Sequence, residues 1–163
     1  MFKYSLHAAV FATAMLFGQA ALAQDAAPMA QQSAAMAASA PRDPALKPVF
    51  EQFGGKPGLV TLMNDFMDNM MADSRTHPYF ANSDRERIKA ELVDQFCVIL
   101  DGPCTYTGKD MAKAHRNLGI NRAAFNALVE DLQTAMNKND IPFRAQNKLL
   151  AKLAPMHSAV ITK

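Results

Sequence analysis

The chain has 163 residues, enough for one domain, and half of them are hydrophobic, so a substantial core is within reach. Its formal charge is +2, falling to +1 without Lys3, a balance that argues against nucleic-acid or membrane-surface partners. There is no tryptophan, there are only two cysteines, and eleven methionines stand out for this length.

Residues 1–23 have the form of a secretory signal: Lys3 gives a positive start, Ala8 to Phe17 is apolar, and Ala21-Leu22-Ala23 is a small-residue cleavage box. The apolar run is too short to span a bilayer, so no stable membrane insertion is expected once the signal is cut. Export predicts a periplasmic or extracellular chain, in surroundings where cysteines can pair. Residues 24–44 are rich in Ala, Gln, Met, Ser and Pro and lack an amphipathic period, which predicts a disordered tether ahead of a domain over 45–163.

From Ala45 the pattern is helical. A short helix over 45–53 should end at Gly54-Gly55, where the left-handed conformation is open to the chain. A second helix is predicted from about Pro57 to Ala72, with Leu59, Leu62, Met63, Phe66, Met67, Met70 and Met71 forming a broad buried stripe. A connector through His77, Pro78, Tyr79 and Phe80 leads to Ser83-Asp84-Arg85-Glu86, whose Ser-x-x-Glu form predicts a capping box. The third helix should turn Ile88, Leu92, Phe96 and Ile99 inward and stop at Asp101-Gly102-Pro103.

The next stretch, from Gly102 to Ile120, is built to present one histidine. Met111, His115 and Leu118 are spaced i, i+4 and i+7, so on a helix they share a face that is apolar except for the imidazole. Such a histidine is either a core residue satisfied by a hydrogen bond or the single protein ligand of a haem iron. Two further helices follow, one capped by Asn121 with Phe125, Leu128, Val129, Leu132 and Met136 inward. The last opens after Asp140-Ile141-Pro142, is bent by Pro155, and turns Leu149, Leu150, Leu153, Met156 and Val160 inward. No segment alternates with period two, so the fold class is all-α.

The order and spacing of Phe53-Gly54-Gly55, Asp65-Phe66, Phe80, Phe96, Gly102-Pro103, Tyr106-Thr107-Gly108, Met111-x-x-Ala114-His115, Ile120, Phe125 and Leu153-Ala154-Pro155 resemble the group I truncated haemoglobins over residues 46–161. The resemblance implies a truncated globin, a two-over-two helical sandwich around haem b, with His115 as the proximal iron ligand. It implies a porphyrin contacted by Phe80, Ile88, Leu92, Phe96, Tyr106, Met111, Leu118, Ile120 and Phe125. Lys89, or else Arg87 or Lys109, would face the propionates. The implied partners are a diatomic gas (O2, CO or NO) and an electron donor.

The implied distal pocket is Met63, Phe66, Met67, Ile88 and Leu92. Here the chain departs from the family, because Met67 stands where many members carry a ligand-binding tyrosine, and Ile88 and Leu92 where glutamines often assist. Without those donors O2 should leave faster, which leaves NO dioxygenation or peroxidase chemistry as side activities only. Tyr79 or His77, in the connector, are the remaining candidate donors.

Two other readings stay open. Met63, Met67 and Met70 share a helix face, so Met67 could complete a six-coordinate His/Met centre suited to electron transfer or sensing. Met29, Met36, Met70, Met71, Met156 and His157 offer soft donors for a copper-binding module. Cys97 and Cys104, seven positions apart, are either a disulfide tying the histidine loop to the third helix or two buried thiols.

Overall fold

The computed structural model describes residues 38–163. The expected signal, the first part of the expected tether, Met29 and Met36 therefore lie outside the described residues. A 3-10 turn, Pro44–Leu46, runs into α1, Lys47–Gln52. The chain then forms α2 (Gly55–Ala72), α3 (His77–Phe80), α4 (Arg85–Ile99), α5 (Met111–His115), α6 (Arg122–Lys138) and α7 (Phe143–Leu153). A second 3-10 turn, Ala154–Met156, contains Pro155 and bends the chain into α8, His157–Val160. Among the described residues there is no strand.

The break between α1 and α2 is local. Gly54 and Gly55 both have positive φ, 75° and 62°, which glycine adopts without the Cβ penalty other residues meet. The reversal lets α2 start two residues before Pro57, which sits in the first turn where its missing N–H costs nothing. The predicted stripe of α2 is the spine of the core: Leu59, Leu62, Met63, Phe66, Met67 and Met70 are all buried. Asp84, rather than Ser83, caps α4, accepting from the Arg87 N–H at 3.1 Å, while Ser83 Oγ donates to the Phe80 carbonyl. Two adjacent cap-forming residues competed, and the one not engaged by the preceding turn took the helix.

The helices form two layers. α2 lies beside α4 in one, α6 beside α7 in the other, and α2 packs across on α6 as α4 does on α7. The short α5 sits apart from this frame and rests on α8. Buried apolar side chains accordingly fall into two clusters. The larger runs from Leu46 through α2 and α4 to Leu149, with Phe80, Ile88, Leu92, Tyr106, Leu128 and Met156 half-buried at its margin. The smaller joins Ile120, Ala124 and Val160 with half-buried Tyr79 and Phe125.

The tether expectation needs correction at its end. Ser39 and Ala40 are buried, and Arg42 ties the segment to the loop after α4 by an ion pair with Asp101 at 2.8 Å. Composition predicted no order here because the partners of these residues lie about 60 positions away along the chain.

Candidate haem site

The loop from Gly102 to Asp110 replaces what could have been further helix and delivers α5. It is fastened at both ends. Cys97, fully buried near the end of α4, forms a disulfide with Cys104, with Cα atoms 5.8 Å apart. Tyr106 folds back so that its hydroxyl donates to the Lys109 carbonyl at 2.6 Å. Its ring crosses Gly108 so closely that a Cβ there would meet ring atoms at 2.6 Å, which is the steric reason for Tyr-x-Gly. Burial, helped by the negative charges of Glu91 and Asp110, pushes the Tyr106 phenol up to about 12.

Asp110 then caps α5, its carboxylate accepting from the Lys113 N–H at 2.9 Å. That hydrogen bond, with the Lys113 ammonium beside it, holds the carboxyl below its ordinary range. Sequence reasoning passed over Asp110, although an aspartate directly ahead of an amphipathic turn is a helix-start signal.

At the other end of this single helical turn stands His115, half-buried. Its Nδ1 lies 2.8 Å from the Met111 carbonyl, four residues back. A carbonyl can only accept, so Nδ1 carries the proton and Nε2 keeps its lone pair. This tautomer and ring orientation suit an imidazole that ligates a metal through Nε2, with a backbone carbonyl raising its basicity from behind. One histidine of this kind fits haem, whose porphyrin already fills the equatorial plane. Both cysteines are oxidised to the disulfide, and no group of three or more His, Cys, Asp or Glu among the described residues could hold a bare metal ion.

Leu118 needs correction. α5 ends at His115 because Arg116 is extended (φ −55°, ψ 132°) and Asn117 is left-handed (φ 64°), so only Met111 and His115 share a helical face. Leu118 is 44% exposed. The remaining expected site residues divide between the two clusters. Met63, Phe66, Met67 and Phe96 are buried in the larger cluster, with Phe80, Ile88, Leu92 and Tyr106 half-buried against it. Ile120 and Phe125 belong to the smaller one, where Phe125 also lies 6.4 Å, centroid to centroid, from the His157 ring. Tyr79 packs there too, and His77 is exposed.

Lys89 is engaged already, by Asn64 Oδ1 at 2.9 Å and Glu86 Oε1 at 2.8 Å. Arg87 pairs with Glu91 at 3.5 Å, and the Lys109 side chain has no ion pair among the described residues. Gln95, which sequence reasoning missed, is a buried amide on α4 that donates to the Ser39 carbonyl and points at the sulfurs of Met111 (3.8 Å) and Met156 (3.9 Å). A polar residue inside a run of apolar ones was its only signal.

Residues 48–162 match the bacterial-like globin family. The chain belongs to the group 1 truncated haemoglobins. The truncated haemoglobin of Tetrahymena thermophila is 31% identical to this chain over 90 residues, covering 55% of this chain and 74% of the relative. That of Mycolicibacterium paratuberculosis is 25% identical over 114 residues, covering 70% and 84%. Among solved structures, the Fe(III) form of Tetrahymena pyriformis truncated haemoglobin aligns with a TM-score of 0.67 at 23% identity, over 71% of this chain and 98% of that one. The Synechococcus 2/2 haemoglobin with covalently attached haem aligns with a TM-score of 0.65 at 20% identity, over 71% and 98%. The fold is thus the two-over-two globin sandwich, the cofactor is haem, and the ligand class is a diatomic gas. A free-standing copper module is set aside by this membership.

Proposed function

We propose that this truncated haemoglobin is exported and holds haem b through His115 Nε2, binding O2, CO or NO opposite it. The observation that carries the ligand assignment is the His115 Nδ1 bond to the Met111 carbonyl, which leaves Nε2 as the free donor atom. Haem supplies a ferrous iron with one exchangeable coordination position. The chain's own part is to orient that iron, shield it and tune the ligand's escape.

Shielding falls to residues of the two clusters, Phe80, Ile88, Leu92 and Phe96 from the larger and Ile120 and Phe125 from the smaller, with Met111 in the proximal turn and Tyr106 in the loop ahead of it. Lys89 is the propionate partner we favour, exchanging its pairing with exposed Glu86 for a carboxylate of the porphyrin. Met63, Phe66, Met67, Ile88 and Leu92 form the distal wall. None of their side chains is a conventional donor, so O2 is released quickly while CO and NO, which depend less on such a donor, are held. Export is supported by the signal-like N-terminus and by a disulfide inside the domain, which belongs to oxidising compartments.

The test is an optical titration of the haem-loaded mature protein in ferric, ferrous and ferrous-CO states beside His115→Gly. The variant should lose the wild-type spectrum and regain it with millimolar imidazole, which replaces the missing side chain. A spectrum unaltered by the substitution would refute the assignment. A five-coordinate ferrous form supports an open gas site, and a six-coordinate one points to Met67 as a second ligand.

A further inference from the structure

We propose that Ser39 and Arg42, which precede the part of the chain matched by the globin family, are positioning residues for the iron ligand. The inference rests on His115 as that ligand and adds what sets its height above the opposite wall. α5 is one turn long, and the N–H groups at its start have no partners within the helix. Asp110 takes the Lys113 N–H through its side chain, while its carbonyl accepts the first helical bond, from the Ala114 N–H. The Met111 N–H goes to Ser39 Oγ at 3.0 Å, a residue 72 positions earlier.

Ser39 is itself fixed from the other side. Its carbonyl accepts from Gln95 Nε2 at 2.5 Å, and Gln95 belongs to α4. A continuous path therefore runs from α4 through Gln95 and Ser39 to Met111, whose carbonyl in turn holds His115 Nδ1. Movement of Ser39 displaces the residue that orients the imidazole. Because that carbonyl sets the basicity of Nε2, it also changes the iron–histidine bond.

Arg42 holds the same segment against the loop that leads to α5. Its guanidinium donates to Asp101 Oδ1 at 2.8 Å, to the Gly102 carbonyl at 3.1 Å and to the Cys104 carbonyl at 3.0 Å. The planar fork spans two carbonyls beside the disulfide, a geometry lysine does not reproduce. The family match begins at residue 48, so both residues lie outside the part of the chain that it covers.

The experiment uses the full haem-loaded chain with Ser39→Ala, Ser39→Thr and Arg42→Gln. The iron–histidine stretching band is recorded after photolysis of the CO complex, together with the rate of haem transfer to an apoglobin acceptor. Ser39→Ala and Arg42→Gln should shift the band and speed haem loss about fivefold, the equivalent of one lost hydrogen bond. Ser39→Thr, which keeps the hydroxyl, should return the band toward wild type. Bands in Ser39→Ala and Arg42→Gln that coincide with wild type would overturn the positioning role while leaving His115 as ligand. Absence of the band in wild type would overturn both.

Discussion

Breaking the Cys97–Cys104 bond tests how the loop that leads to His115 is held. The bond spans a sequence separation of 7, and a closed loop of about eight residues restricts the unfolded chain by about 2.5 kcal/mol in the chain-entropy treatment. For a domain of this size that corresponds to a melting temperature lower by about 10 °C. Cys97→Ala/Cys104→Ala and chemical reduction of the wild type give two routes to the same loss, and the second leaves both side chains in place. Melting of the haem-loaded protein by circular dichroism should show comparable drops for the two routes. Arg42 bonds the carbonyls of Gly102 and Cys104 in the same loop, so adding Arg42→Gln to the double alanine variant should give a non-additive change. A melting temperature that stays within about 2 °C of wild type by both routes would refute the claim that the disulfide restrains the loop.

On the proposed distal wall, Met67→Tyr should place a donor beside bound O2 and slow its release by about ten- to a hundredfold, read by stopped-flow displacement with CO; an unchanged rate would show that the side chain does not reach the gas. Gly108→Ala brings a Cβ to 2.6 Å of the Tyr106 ring and should detach the tyrosine, lowering the melting temperature by several degrees and returning the phenol toward its ordinary pKa, to be read by ultraviolet absorbance. Asp131 is buried beside Thr76, with Asp73 and Glu130 adding negative charge and Arg75 opposing it, and burial raises its carboxyl above the ordinary range. The folded form then binds the proton more tightly than the unfolded one. Its stabilising contribution is complete below the unfolded value and is lost as pH rises to the folded one. Asp131→Asn should remove that part of the pH dependence of melting and raise stability at neutral pH; an unaltered profile would sink the assignment.

The sequence by itself determined the long helices and most of the core. Helix periodicity is a local property, so the buried stripe from Leu59 to Met70 could be read directly from spacing. The paired glycines 54 and 55 marked a turn for an equally local reason, since few other residues take positive φ freely. The Gly-Pro-x-x-Tyr-x-Gly-x-x-Met spacing ahead of His115 carried the family resemblance, and the family match and relatives established the haem.

Tertiary structure decided what depended on groups distant in the chain. Leu118 left the helical face because α5 stops at His115 after a single turn, a length that periodicity does not reveal. Ser83 lost the cap of α4 to Asp84 once its hydroxyl turned to the Phe80 carbonyl. Gln95 and Ser39 gave little sign of their roles, for they meet each other across 56 positions and meet Met111 across 16 and 72. Ordering a proline- and alanine-rich segment costs conformational entropy that local contacts do not offset. Here the offset comes from Asp101, Gly102, Cys104 and Met111, which only the folded chain brings to Ser39 and Arg42.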